Sequence, residues 1–484
     1  MHELLRSSAR EVVGLLRAEE VSPLELVELA LARMEAVEPS VNAVPTRCAE
    51  RAREQARRIM AGAIAPPEDG RGWLAGLPVV VKDLNDVAGV RTTYGSPVFA
   101  EHVPERSSYE VERLEAMGAV ILGKSNTPEF GAGAQTFNEV FGVTRNPWNT
   151  DLTCGGSSGG AAVALATGEC WLANGSDLGG SLRTPAAFCA VVGLRPSPGR
   201  VPHGPSPAPF QTLAVEGPMA RDVRDLALLL DAQAGFDPRD PLTFDPPAEP
   251  FVVAVERDPG LRRVAFSADL GGITPVDPEV ARICRQAAER LAALGCEVVL
   301  DACPDLGAAV EVFRVLRAEH FVTTRAPLLE QHRAKLKPEV IWNIETGMKL
   351  TAEEIGRAER LRAEMQRSAA TFMDRFDLLL CPAAIVPPFP VERRWIDELQ
   401  GHRFPSYIDW VAITYAITLT GLPALSLPCG FTETGLPVGL QMVGKPRGEA
   451  ALLAAAARLE ELLGIARLLP IDPRPLPISA AAAG

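Results

Sequence analysis

Val79-Val80-Val81 presents β-branched side chains to both faces of any strand it forms, and Lys82 closes the run. A strand that is apolar on both sides is stable only where both faces are covered, which points to a sheet layered between helices. The texture returns at Val120-Ile121-Leu122, and Glu110–Met117 between the two runs has helical spacing. Such units predict an α/β fold with a large, mixed, mostly parallel sheet covered by helices on both faces. Val264-Ala265-Phe266, Val298-Val299-Leu300, Leu378-Leu379-Leu380 and Ala424–Leu427 read as further strands. Asp277-Pro278 opens a helix running to Leu294.

Residues 1–60 have a different texture. Ser22-Pro23-Leu24-Glu25 combines an N-cap, a proline at the first helical position and the acid of a capping box. Leu24, Val27, Leu31 and Met34 then recur at helical spacing. A Gly/Pro/acid-rich connector follows at 61–72. At ~100–200 residues per domain, a chain of this length would hold about three domains. No linker flexible enough to separate independent halves is visible. The expected organisation is therefore a helical segment 1–70 packed on the core, one domain at 71–467, and an extended, poorly packed tail at 468–484.

Hydrophobic residues make up 47% of the 484 and charged residues 23%, which excludes disorder for the bulk of the chain. Lys and Arg number 48 against 61 Asp and Glu, a net charge of −13 that repels phosphate backbones; no nucleic-acid partner is expected. The N-terminal stretch MHELLRSSAREVVGLL carries acidic residues and no apolar core, unlike a signal peptide. No run approaches the ~20 apolar residues of a membrane span, so no membrane contact is expected. Nine cysteines without a C-x-x-C pair read as reduced thiols of a cytoplasmic protein. The six histidines lack metal-ligand spacing, and neither a metal nor a cofactor is expected.

Gly118-Ala-Val-Ile-Leu-Gly123-Lys124-Ser125 fits the P-loop pattern by letter. A P-loop needs irregular backbone whose N–H groups wrap phosphates, whereas Ala119 to Leu122 is strand sequence with its N–H groups spent on a ladder. Gly155-Gly156-Ser157-Ser158-Gly159-Gly160 fits the nucleophile elbow G-x-S-x-G, and equally a Gly/Ser turn before the helix Ala161–Ala166. The elbow reading would need a histidine partner from His203, His320, His332 or His402, and none has a recognisable catalytic context.

Gly175-Ser176-Asp177-Leu178-Gly179-Gly180-Ser181-Leu182-Arg183 shifts the balance. Two glycines before a serine let backbone fold closely around an incoming group. The N–H groups of Leu178, Gly179, Gly180 and Ser181 can then converge as an oxyanion hole. Asp177 and Arg183 flank the serine at a spacing that would clamp the loop by an ion pair. Only six lysines stand against 42 arginines, and Lys82 ends a buried strand, where parallel sheets place ligand sites. A buried lysine loses its proton more readily and becomes a usable base; a strand-end lysine can also reach out to solvent.

Together these segments resemble the amidase signature family. The resemblance covers most of the chain: Gly76–Asp83, Lys124–Phe130, Asn146-Pro147-Trp148-Asn149, Gly155–Gly160, Gly175–Pro185, Gly421-Leu422-Pro423-Ala424 and Gly435–Gln441. It implies the amidase signature fold and a Ser-cisSer-Lys triad. Ser181 corresponds to the nucleophile, Ser157 to the bridging serine on a cis peptide, and Lys82 to the terminal base. Seventy-five residues from Lys82 to Ser157 and 24 from Ser157 to Ser181 are the family's separations. Ser176 and Leu178 replace the more usual threonine and threonine or isoleucine, and Cys154 replaces a frequent proline. Cys154 has no accompanying base and reads as a small buried thiol.

The implied activity is amide hydrolysis through an acyl-enzyme, on small apolar or aryl amides and also esters or carbamates, with water as the second substrate. The alternative is the glutaminase A-type subunit of a tRNA-dependent amidotransferase, which works with partner subunits. The segment 126–137 is expected to line the acyl pocket, with Gly131, Ala132, Gly133 and Gly156 against the substrate. The segment 310–420, with Phe313, Trp342, Ile344, Trp395 and Trp410, supplies candidate walls. A homodimer is the expectation from relatives.

Overall fold

The computed structural model describes residues 2–475. Its centre is an eleven-stranded sheet. In spatial order the strands are Thr46–Arg47, Val120–Ser125, Pro78–Lys82, Leu172–Asp177, Val215–Ala220, Val192–Arg195, Ala424–Phe431, Pro437–Val443, Leu378–Pro382, Arg263–Phe266 and Glu297–Leu300. Every residue of Pro78–Lys82, Val120–Ser125, Leu378–Pro382 and Pro437–Val443 is buried. Because successive side chains point to opposite faces, this requires cover on both sides of the sheet.

The sheet is mixed. Pro78–Lys82 runs parallel to both of its neighbours, and Arg263–Phe266 runs parallel to both of its own. Between these blocks the pairings are antiparallel, including the hairpin of Ala424–Phe431 with Pro437–Val443. The first parallel block matters for chemistry. Lys82 pairs with Ser125 and Val81 with Asn174, so three strands deliver their carboxyl ends to one edge. Loops leaving that edge share a crevice.

The N-terminal segment forms helices Glu3–Arg6, Ala9–Arg17, Pro23–Val41 and Ala49–Met60. Ser22 caps the third through a capping box with Glu25, and Leu26, Val27, Ala30 and Met34 on it enter the main core. The segment also lends Thr46–Arg47 to the sheet edge. The tail expected to pack poorly does not do so as far as it is described. Leu469 and Ile471 are buried, the Ile471 N–H donates to the Ala166 carbonyl at 2.9 Å, and Arg474 exchanges backbone hydrogen bonds with Pro147 and Thr150. Two apolar side chains and a short ladder hold it, and Arg33 adds an ion pair to Asp472 at 2.7 Å. The remainder of the tail, 476–484, lies outside the described residues. Among the described residues no helix is long and apolar enough to cross a membrane.

Candidate active site

Lys82 has no solvent exposure, and its Nζ sits among serines. Ser157 Oγ is 2.7 Å away, Ser158 Oγ 2.8 Å and Ser176 Oγ 3.1 Å. Burial pushes the lysine pKa down to about 7, against the opposing charges of Glu216 and Asp177. The turn that follows is braced by a second buried lysine. Lys124 Nζ pairs with Asp83 at 3.5 Å and donates to Thr92 Oγ1 at 2.9 Å and to the Asn85 carbonyl. The lysine of the P-loop-like string is therefore internal scaffolding.

Ser157 and Ser158 precede the helix Gly159–Thr167, and the Gly156–Ser157 peptide is cis. Glycine is needed in this run: a Cβ on Gly160 would overlap the Asn126 backbone. Ser158 Oγ donates to the Ser176 carbonyl at 3.2 Å and accepts the Ser176 N–H at 3.3 Å. Its one proton is thereby committed, which leaves Ser157 better placed to exchange a proton with Lys82.

Ser181 precedes the helix Arg183–Cys189, and its carbonyl accepts the Ser158 N–H at 3.1 Å. The two serine loops are thus tied backbone to backbone. No hydrogen bond links Ser181 Oγ to Ser157 Oγ among the described residues; both serines line one cavity of about 570 Å³. Exposure grades outward, from none at Lys82 and 2% at Ser157 to a half-buried Ser181.

Asp177 and Arg183 form a forked pair, Nη2 to Oδ1 at 2.8 Å and Nε to Oδ2 at 3.0 Å. Burial alone would raise the Asp177 pKa; the charges and hydrogen bonds of Arg183, with Arg195 behind, hold it well below the usual carboxylate range. Arg183 Nη1 also donates to Gln441 Oε1 at 2.5 Å and to the Thr414 carbonyl at 2.8 Å, and Nη2 to Thr418 Oγ1 at 2.9 Å. Its whole donor fork is used.

The same carboxylate reaches into the expected oxyanion set. Asp177 Oδ1 accepts the Gly180 N–H at 2.9 Å and Oδ2 the Leu182 N–H at 3.1 Å. The Gly180 N–H is therefore already engaged by that carboxylate. The N–H groups of Leu178, Gly179 and Ser181 take no partner among the described residues, and all three residues line the cavity.

Gly131, Gly133 and Gly156 line the cavity, but Ala132 does not. Its side chain packs in a separate cluster with Phe321, Leu336 and Ile344, and its carbonyl accepts from Lys337 Nζ. Ala132 closes the tight turn Glu129–Gly131, its N–H donating to the Glu129 carbonyl at 2.9 Å, and it is wholly buried. Of the five candidate wall residues between 310 and 420, only Phe313 reaches the cavity, stacked on Tyr415 at 4.0 Å. Trp410 is core, Ile344 belongs to the separate cluster, and Trp342 is 38% exposed. Arg317, His320, Phe321, Arg325 and Tyr407 form that wall instead.

Two further groups escaped the sequence reading. Ser158 stood beside Ser157 as one more loop residue. Glu216, a buried carboxylate on strand Val215–Ala220, lines the cavity and accepts from His203 Nδ1 at 3.1 Å. Neither carries a local signal, because strand order brings each to Lys82. No histidine hydrogen-bonds Ser157 or Ser181 among the described residues, and the elbow reading has no partner. Cys154 is buried, and burial raises its thiol pKa to about 12.

Residues 25–453 match the family model described as Amidase. The chain belongs to the amidase signature family and is an amide hydrolase of that class. It is similar to an acylamidase of Rhodococcus erythropolis, 36% identical over 470 residues, covering 96% of this chain and 97% of the relative. Similarity extends to the A-type subunit of the glutamyl-tRNA(Gln) amidotransferase of Moorella thermoacetica, 36% identical over 482 residues with 95% and 97% coverage. Among solved structures, a bacterial aryl acylamidase superposes with a TM-score of 0.87 at 29% identity, covering 96% of this chain and 99% of its own. A 6-aminohexanoate cyclic dimer hydrolase gives 0.85 at 30% identity, with 97% and 99% coverage.

Proposed function

We propose that the protein hydrolyses small apolar or aryl amides, and also esters or carbamates, through an acyl-enzyme on Ser181. The observation that carries this reading is the graded arrangement of a fully buried Lys82 with a pKa of about 7, Ser157 against it, and Ser181 facing the cavity. Neutral Lys82 draws a proton through Ser157 from Ser181, whose Oγ attacks the amide carbon. The N–H groups of Leu178, Gly179 and Ser181 hold the oxyanion. Ser157 returns the proton to the departing amine, and water then hydrolyses the acyl-enzyme by the same relay. Asp177 and Arg183 support the loop without touching substrate.

The apolar or aryl preference draws support from the cavity lining, where Tyr94, Phe99, Phe130, Phe313 and Phe321 gather, and from the acylamidase relatives. A second reading, the A-type component of an amidotransferase, draws on relatives such as that of Moorella thermoacetica. We infer further a cytoplasmic protein, from nine free thiols, and a homodimer without nucleic-acid partners.

Fluorophosphonate labelling with peptide mapping tests the nucleophile. One adduct on Ser181, absent in Ser181→Ala, is expected; an adduct on Ser157 would overturn the assignment. A panel of anilides, aliphatic amides, carbamates and glutamine tests the class. Glutamine as the sole good substrate, with activity dependent on added partner proteins, would favour the amidotransferase reading. Light scattering at 51.7 kDa would refute the dimer.

A further inference from the structure

The helix Ala309–His332 turns one face to the cavity, where Arg317, His320, Phe321, Thr324, Arg325 and Leu328 follow at helical spacing. The two arginines on this face differ. Arg317 is occupied, donating from Nη2 to the Tyr407 hydroxyl at 2.7 Å and from Nε to Asn343 Oδ1 at 3.2 Å. Arg325 donates only from Nη1, to the carbonyl of its own neighbour Thr324 at 2.9 Å. Among the described residues no carboxylate lies within ion-pair distance of its guanidinium.

The acids lining the same cavity are engaged elsewhere. Asp86 accepts from the Tyr94 hydroxyl at 2.6 Å, Glu110 from Asn85 Nδ2 at 2.7 Å, and Glu216 from His203. A half-buried guanidinium without a counter-charge keeps its proton and leaves its free donors to the cavity. The ring of Phe130, 4.9 Å from Arg325 Cζ, adds a cation–π contact. Nε and Nη2 remain without partners in a wall that also holds Tyr94, Phe99, Phe130, Phe321 and Leu328.

Arg325 also lies within reach of the reaction. Phe130 is followed by Gly131, where an added Cβ would stand 3.3 Å from Ser157 Oγ. One aromatic ring therefore separates the unpaired guanidinium from the turn that lies against Ser157.

We propose that Arg325 is a specificity-determining residue that binds a carboxylate carried by the amide substrate, at the end remote from the scissile bond. Nε and Nη2 form the two-donor fork that a carboxylate matches, and the aromatic wall takes the apolar body between carboxylate and amide. The inference rests on the reading of Ser181 and Lys82 as an amide-hydrolysing site and deepens it from apolar amides to apolar amides with an anionic end.

Matched substrates test it. Adipic acid mono-para-nitroanilide is compared with hexanoyl para-nitroanilide, and N-hexanoyl aminohexanoate with N-hexyl hexanamide, which place the carboxylate on the acyl or the amine side. The wild type is expected to favour the charged member of at least one pair by roughly tenfold or more in kcat/KM, mostly through KM. In Arg325→Met that ratio falls to about one, while Arg325→Lys retains part of it as a point charge. Arg325→Lys also serves if methionine at this position disturbs folding. A wild type with no preference in either pair overturns the proposal. So does a preference that persists in Arg325→Met, which would leave Arg325 as a brace for Phe130. Failure of every amide, charged or neutral, would instead overturn the reading of the site itself.

Discussion

Lys82 Nζ and Ser157 Oγ lie 2.7 Å apart at the inner end of the cavity, with the lysine wholly shielded from solvent. Its burial converts an ordinary strand-end cation into a group whose neutral form is accessible near pH 7. Burial supplies the shift, and Glu216 and Asp177 limit it.

The pH dependence follows from the direction of that shift. The lysine must be neutral to accept the relayed proton, so activity is present above about pH 7 and is lost as pH falls through the folded pKa. The logarithm of kcat/KM should drop with unit slope on the acid side. Lys82→Ala should retain only a small residual rate, and the same acid limb persisting in that variant would refute Lys82 as the titrating group.

Three serines of the site, Ser181, Ser157 and Ser158, should separate by magnitude. Ser181→Ala and Ser157→Ala remove members of the relay, and each should cost on the order of 10³-fold or more in kcat. Ser158→Ala removes hydrogen bonds to Lys82 and Ser176 but no relay atom. A loss of about 1.5–3 kcal/mol, roughly 10–100-fold, is expected. Single-turnover kinetics on an anilide would read the order, and equal losses at Ser157 and Ser158 would contradict it.

Arg183→Met should be a stability variant first. It leaves the buried Asp177 carboxylate with only Arg195 nearby, and stranding a buried charge costs about 3–5 kcal/mol. Thermal unfolding should show a clear drop. Adding Asp177→Asn to the same chain should recover part of it, because the stranded charge is gone.

Gly180 has a φ of +123°, and a Cβ there would overlap Thr414 Oγ1. Gly180→Ala should cost about 1–3 kcal/mol in backbone strain. The displaced Ser181 N–H should cost roughly 10²–10³-fold in kcat, as removal of one oxyanion donor does. Adding Thr414→Ala relieves the overlap but not the φ, so full recovery of rate in the double variant would be the unexpected result.

The strand ending in Lys82 was legible because a run of β-branched residues between turns has few stable placements. The capping box at Ser22 and Glu25 was legible because both partners lie within one turn of helix. The antiparallel middle of the sheet was not. Ala424–Phe431 could be recognised as a strand, but its pairing with Val192–Arg195 depends on a distant partner. The same holds for Gln441, visible only as part of a closing segment until the fold placed it against Arg183.

The sequence by itself determined which chemistry-bearing residues exist and where each element can begin and end, since burial periodicity, caps and glycine positions are local properties. Tertiary structure decided which groups meet. The Gly180 N–H of the expected oxyanion loop is engaged by the Asp177 carboxylate. Ala132 turned from the cavity into its own cluster. Arg317 found Tyr407 and Asn343, while Arg325, two helical turns on, was left facing the cavity. Contacts across a crevice depend on strand order and helix packing, and those free energies are summed over the whole chain rather than within any window of it.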